Sequence, residues 1–411
     1  MGSFSFGAGN AAKLLRIPLY LAGRVATWLI PRTRDEWVFG CAVGVADGAL
    51  ALWLHAAAAG ERTVWLTADA RQDAEAAARG IPTVRRDSLA GFWRTARARV
   101  VVVTHGFGDV NRYATAGAMI VQLWHGIPLK RIGLDSPATL RAPIPALRPM
   151  IRRLYRATQR RIALIPAASH LVRGRLESAF ALTDESVPVT GEPRVDVLSQ
   201  GTPADRVSAA RERLETVLTR NGGEGAGSRR LVLYAPTWRD GADDPAVPTR
   251  GDWRAIHAML EEHDAMLLVR SHPLGAGDYA DGAGDRVRML GSDLVADVTP
   301  LLPALSVLVT DYSSLVFDAS LVPVPVVFLA PDAAEYAVER GFYGLYEDVT
   351  GGEHVLTWAQ AVEQVGAVLG EPAVRERLTD RARRLDVQVH AHRDGRNTQR
   401  VYERIRDRLD G

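Results

Sequence analysis

The chain has 411 residues, 47% of them hydrophobic and 24% charged, with 50 Lys and Arg against 48 Asp and Glu. That length exceeds one typical domain and suits two, and a net charge of +2 carries no general signal for binding nucleic acid. The single cysteine, Cys41, excludes an internal disulfide framework, a CxxC redox pair and a thiolate zinc cluster, which fits a reducing compartment.

Residues 1–34 contain Lys13, Arg16, Arg24, Arg32 and Arg34 and no acid. The apolar stretch 14–29 is broken by Arg16, Pro18 and Arg24, too often for a membrane-spanning helix, and it lacks a signal-peptide cleavage site. Two readings stand: a helix packed on the fold, or an interfacial segment lying on an anionic leaflet with Leu14, Leu15, Leu21 and Trp28 as its apolar face.

From 35 to 203 apolar runs alternate with helical patterns. Strands are predicted at 37–42, 63–67, 99–103, 119–123, 162–165 and 186–190, and helices at 47–59, 71–79, 148–160 and 170–179. Continuous apolar strands separated by helices imply a parallel sheet covered on both faces. Residues 204–229 read as a linker, a helix at 204–218 followed by a glycine-rich connection. A second alternating domain spans 230–372, with strands at 231–235, 266–270, 286–289, 306–310 and 325–329 and helices at 252–262, 314–321 and 355–369. Helices at 373–386 and 396–409 make a closing segment, 373–411, that could return to the first domain. The expected class is therefore α/β: two Rossmann-like doubly wound domains facing across a cleft, preceded by a basic helical segment.

Such folds bind ligands beyond the carboxyl ends of their strands, so the residues there are the candidates. Strand 119–123 runs into Trp124-His125-Gly126-Ile127-Pro128-Leu129-Lys130. A histidine between a buried strand and a Gly–Pro turn is positioned, and imidazole can take a proton from a hydroxyl near neutral pH. His105-Gly106 follows strand 99–103 in the same way, with a structural role as the simpler reading. In the second domain Arg270-Ser271-His272-Pro273 follows one strand and Asp311-Tyr312-Ser313-Ser314 another. An arginine fork with serines at a helix start suits phosphate oxygens. Thr237 and Arg239 after the first strand, and Glu335 and Arg340 after the last, are further cleft candidates. The acids Asp293 and Asp297 fall in a loop and form no metal clamp, which favours chemistry without a cofactor or metal ion.

Between Lys130 and Arg175 eleven Lys or Arg residues accompany one acid, Asp135. Arg148, Arg152, Arg156 and Arg160 recur every four residues and share one helical face. Together with Lys130 they are expected to meet something anionic, a phospholipid surface or a phosphate-bearing acceptor.

The segments WHGIPLKRIGLD (124–135), TGEPRVD (190–196), YAPTWRD (234–240), RSHP (270–273), TDYSSLVFD (310–318), RGFYGLYED (340–348) and DG (394–395), in this order, resemble the CDP-glycerol glycerophosphotransferase family of teichoic-acid primases, polymerases and capsule-polymer enzymes. Ile127 departs from the threonine common there, and asparagine often precedes the aspartate that is Asp196 here. The resemblance implies transfer of a polyol phosphate from CDP-glycerol or a CDP-ribitol-type donor to a polyprenyl-linked or glycan acceptor, with release of CMP. It further implies a peripheral position on the cytoplasmic face of the membrane. His125 would be the base, His272 a second essential histidine, and Arg270, Ser313 and Ser314 donor-phosphate ligands. Two alternatives stand beside this reading: a nucleotide-sugar glycosyltransferase of the same architecture, which would release UDP or GDP, and a non-catalytic membrane-associated protein that binds nucleotide or anionic polymer.

Overall fold

The computed structural model describes residues 17–32, 35–140, 145–220, 224–239, 243–271 and 279–411. These fall into two units. The first takes the described residues up to His125, then Arg131–Asp196 and His390–Gly411; the second takes Gly126–Lys130 and Val197–Val389.

In the first unit, α1 (Ile17–Leu29) precedes β1 (Glu36–Phe39), α2 (Asp47–Ala58), β2 (Arg62–Thr67), α3 (Ala70–Ala77), β3 (Thr83–Arg85), α4 (Leu89–Arg97), β4 (Val100–Val103), β5 (Met119–Gln122), α5 (Arg148–Gln159), β6 (Ile162–Leu164) and α6 (His170–Phe180). The sheet is parallel throughout, in the order β3-β2-β1-β4-β5-β6. Its interior strands are buried on both faces, which is why β4 is four consecutive valines, all buried. Trp37, Phe39 and Trp65 stack along the sheet and are at most 1% exposed. Helix starts are set locally: Asp69 accepts from the Gln72 amide and Ser88 from the Gly91 amide, both at 3.0 Å.

The second unit contains α7 (Pro203–Arg220), β7 (Arg230–Ala235), α8 (Arg250–Glu262), β8 (Ala265–Val269), β9 (Val287–Met289), β10 (Val307–Thr310), α9 (Leu315–Ser320), β11 (Val326–Phe328), α10 (Ala333–Glu339), α11 (Tyr346–Thr350), α12 (Trp358–Gly370) and α13 (Pro372–Val389). Its parallel sheet runs β11-β10-β7-β8-β9. Both sheets thus reverse direction of strand order beside their first strand, between β1 and β4 and between β7 and β10. At such a reversal the loops diverge and leave room for a ligand.

Three sequence expectations are corrected. Residues 186–190 form no sheet strand; only an Ala167–Val189 bridge forms there, because Pro188 has no N–H to donate. The edge strand β3 and helix α4 were missed, since three residues are too few to show a period. The closing segment also divides: α13 buries Leu378 in the second core, whereas α14 (Asn397–Asp410) buries Val401 and Ile405 in the first. Asp196 holds the start of α14, accepting from the Asn397 amide at 2.9 Å and the Thr398 amide at 2.8 Å. Gly191 (φ 76) permits this docking, as a Cβ there would collide with the Asn397 side chain. TGEPRVD and the residues after DG therefore interlock although 200 positions separate them.

Candidate active site

In the first unit the chemistry gathers beyond β1, β4 and β5. Asp109 is 3% exposed, and its Oδ2 accepts from the amides of Thr104 (2.9 Å), His105 (2.7 Å) and Gly106 (3.3 Å). Burial pushes this carboxyl above its ordinary range, and the charge of His105 and the three amides pull it back. Thr104, so fixed, places its Oγ1 3.1 Å from Cys41 Sγ and 2.7 Å from His105 Nδ1. Cys41 is buried, and that desolvation raises its thiol well above the normal value, so it stays protonated.

His125 is half-buried directly past β5. Its neighbours hold unusual backbone: Trp124 has φ 62 and Gly126 φ 130. A left-handed tryptophan costs energy that its packing must offset, and the Trp124 ring meets Phe180 edge-on at 5.0 Å and His125 at 4.2 Å. His125 Nδ1 lies 3.4 Å from the Thr104 carbonyl oxygen. A carbonyl only accepts, so the contact is a hydrogen bond when Nδ1 carries the proton, which in the neutral ring leaves the lone pair on Nε2. That is the tautomer a general base requires.

In the second unit the corresponding loops are tied by Arg239, which is 7% exposed. Its Nε and Nη2 grip Asp332 through two bonds of 2.8 Å, and its Nη1 reaches Asp311 at 2.8 Å. The guanidinium lies over Tyr312 (4.9 Å) and Tyr336 (5.1 Å). Asp311 also accepts from the Thr237 amide at 2.9 Å, linking the loops after β7 and β10. Burial alone would raise the Asp332 carboxyl, but the hydrogen bonds and charge of Arg239 outweigh it and hold it below the ordinary range.

The structure thus gives two predicted phosphate or cleft residues framework roles. Arg239 closes a buried ion-pair network. Arg270 directs Nη1 to the carbonyls of Leu290 (3.3 Å) and Val295 (2.7 Å) and Nη2 to that of Ala296 (3.2 Å), bracing the loop that carries Asp293 and Asp297. Ser313 Oγ accepts from the Leu315 amide at 3.3 Å, and half-buried Ser314 precedes α9. Thr237 Oγ1 is buried and meets no hydrogen-bond partner among the described residues. Glu335 is exposed in the first turn of α10. His272 lies outside the described residues.

Lys130 parts from the arginine face with which it was grouped. The Tyr343 amide donates to the Leu129 carbonyl at 2.9 Å, and Lys130 bridges Phe342, so this segment belongs to the second unit. Burial lowers the Lys130 ammonium to about 8; Asp311 opposes the shift, whereas Arg340 and Arg239 add to it. Lys130 thus sits within the charged cluster built around Asp311 and Arg239. Asp332 escaped sequence reasoning; the Pro331-Asp332 step between β11 and α10 was the available signal.

The remaining basic residues form a surface of the first unit. Helix α5 buries Ile151, Tyr155 and Gln159 and exposes Arg148, Arg152, Arg153, Arg156 and Arg160 together with Met150 and Leu154. Helix α1 packs through Gly23 and Tyr20 on Tyr113 and exposes Leu21 (60%), Val25 (58%), Trp28 (85%) and Leu29 (68%). Arg32 is not part of that surface: its guanidinium is tied to the carbonyls of Thr95, Ala98, Ala114 and Ala116. Among the described residues no helix is long and apolar enough to cross a membrane.

These two parallel sheets define an α/β protein of the glycosyltransferase-B-like class, and the wall teichoic acid polymerase TagF shares the fold, with a TM-score of 0.74 at 20% identity over 98% of this chain and 97% of that one. Residues 38–407 match the family of CDP-Glycerol:Poly(glycerophosphate) glycerophosphotransferases, and the chain belongs to that family. It is 26% identical over 306 residues to the teichoic acid glycerol-phosphate transferase of Staphylococcus aureus, covering 71% of this chain and 73% of that protein. It is likewise 26% identical over 297 residues to the teichoic acid poly(glycerol phosphate) polymerase of Bacillus subtilis, covering 70% of this chain but 37% of the polymerase.

The Arg239 network makes a prediction. Arg239→Ala leaves two carboxylates uncompensated and should destabilise the second unit by about 3–5 kcal/mol, whereas Arg239→Lys, unable to grip Asp332 bidentately, should fall between. Because the Asp332 carboxyl is depressed in the fold, its contribution is full above the unfolded value of about 3.9 and is lost as pH falls through the lower native value. Chemical denaturation from pH 7 to pH 3 should show this acid limb in the parent and its absence in Arg239→Ala.

Proposed function

We propose that this protein transfers glycerol phosphate from CDP-glycerol to a hydroxyl of a lipid-linked polymer acceptor while resting on an anionic membrane surface. Membership of its family makes it a CDP-polyol phosphotransferase acting on a cell-wall polymer acceptor; the choice of glycerol, the residue roles and the membrane contact are the proposal. The observation that supports the roles best is His125, half-buried directly past β5 with its Nδ1 3.4 Å from the Thr104 carbonyl oxygen, so that in the neutral ring Nε2 carries the lone pair.

In this reading Nε2 of His125 takes the proton from the acceptor hydroxyl as its oxygen attacks the phosphorus that bears the glycerol. A phosphorus–oxygen bond to the acceptor forms, the bond from that phosphorus to the oxygen of CMP breaks, and CMP leaves. Catalysis then rests on orientation and on stabilising charge on the phosphate oxygens. Lys130 and Arg340, near Asp311, supply positive charge in the second unit, with Thr237 Oγ1, Ser313 and Ser314 as donors. Arg239 and Arg270 act one step back, holding the loops that carry these groups. His272 keeps the role the family resemblance implies, beside the donor phosphates.

His125→Ala should lower single-turnover CMP release from CDP-glycerol roughly 10²–10⁴-fold, the usual share of a positioned acid–base group, with calorimetric donor affinity almost unchanged. Turnover within threefold of the parent would remove His125 as the base.

The surface of α1 and α5 supports peripheral attachment, with Trp28 and Leu29 for the interface and arginines for anionic headgroups. Sedimentation with vesicles should show binding that rises with anionic lipid and falls with salt. Arg152→Glu with Arg156→Glu should weaken it markedly, at about 1 kcal/mol or more for each lost cation. Equal binding to zwitterionic vesicles would contradict the electrostatic account.

A further inference from the structure

His105 and His125 come from different strands, yet their imidazoles lie face to face, with centroids 4.3 Å apart and planes within 3° of each other. Thr104 holds both rings: its carbonyl faces His125 Nδ1 at 3.4 Å and its hydroxyl faces His105 Nδ1 at 2.7 Å. Thr104 is itself fully buried and fixed by Asp109 and Cys41. The His105 amide also donates to Asp109 at 2.7 Å, so backbone and ring are both constrained.

We propose that His105 is a positioning residue for the transfer reaction: flat against His125 and pinned at Nδ1 by Thr104, it fixes the plane in which His125 presents Nε2 to the acceptor. This rests on the reading of His125 as the base. The 3.4 Å contact with the Thr104 carbonyl holds one edge of the His125 ring, and contacts on the ring face hold its plane. Trp124 supplies one such contact, tilted by 33°, and His105 supplies the parallel one. His105 does not itself take the acceptor proton through Nδ1, since that nitrogen meets the Thr104 hydroxyl. The role proposed for His105 is geometric, so an aromatic ring without nitrogens should fill it, whereas proton transfer through His105 Nε2 would make His105→Phe as impaired as His105→Ala.

The test compares His105→Ala, His105→Phe and His125→Ala, measuring CMP release from CDP-glycerol with a short lipid-linked glycerol-phosphate acceptor. His105→Ala should lower kcat roughly 10- to 100-fold, the scale of a misplaced catalytic group, with KM for CDP-glycerol within about twofold of the parent. His105→Phe should restore kcat to within about threefold, because it restores the stack. Unchanged kcat in His105→Ala, or a loss in His105→Phe as large as in His105→Ala, overturns the inference. If His125→Ala keeps full turnover, the base assignment fails and the inference falls with it. If His125→Ala is impaired while His105→Ala is normal, the inference alone fails. Should His105→Ala not fold, Thr104→Val removes the hydroxyl that meets His105, Cys41 and Asp109, and Cys41→Ala controls for the Cys41 contact; a fall in kcat at constant KM in Thr104→Val beyond that of Cys41→Ala supports the inference and an unchanged kcat overturns it.

Discussion

A parallel strand that ends at the top of a sheet leaves backbone amides pointing into the loops that follow, and in this protein buried carboxylates collect them. Asp109 gathers three consecutive amides after β4, and Asp311 gathers the Thr237 and Tyr312 amides after β7 and β10. Each stands at the point where its sheet reverses strand order. Removing a carboxylate from water is costly unless every lone pair finds a donor, so each fixes its loops in one arrangement. The loops that bear the chemistry are held by this constraint, and crowding shows how tightly: a Cβ on Gly40 would overlap the Asp109 carbonyl.

The two units use the same device for different ends. In the first, Asp109 orders Thr104, and Thr104 presents a carbonyl to one imidazole and a hydroxyl to the other, a setting for proton transfer. In the second, Asp311 and Asp332 neutralise Arg239 within a cage of Tyr312 and Tyr336, and Lys130 lies close enough to feel the charges of Asp311, Arg239 and Arg340.

Much of this was legible in the sequence. Valine-rich β4 and apolar β7, β8 and β10 announce themselves because a strand buried on both faces must be apolar throughout. The position of His125 was legible because an apolar strand runs straight into histidine, glycine and a proline turn. Arg270 was placed by the same logic beside the phosphates, yet its donors turn to the carbonyls of Leu290, Val295 and Ala296; a residue's position after a strand does not reveal which way its side chain folds. Lys130 illustrates the converse: a tract of eleven Lys and Arg residues between 130 and 175 suggested one surface, but a backbone bridge to Phe342 draws Lys130 elsewhere. The Arg239–Asp332 pair and the docking of Asn397 on Asp196 join residues 93 and 201 positions apart, beyond the reach of any local pattern.

The account stands on transfer of the polyol together with its phosphate. CDP-glycerol labelled at the phosphorus next to glycerol, incubated with a lipid-linked glycerol-phosphate acceptor, tests it most directly. The label should appear in the acceptor with one unlabelled CMP released for each unit added. Label retained in a nucleotide product, or glycerol transferred without its phosphate, would contradict it.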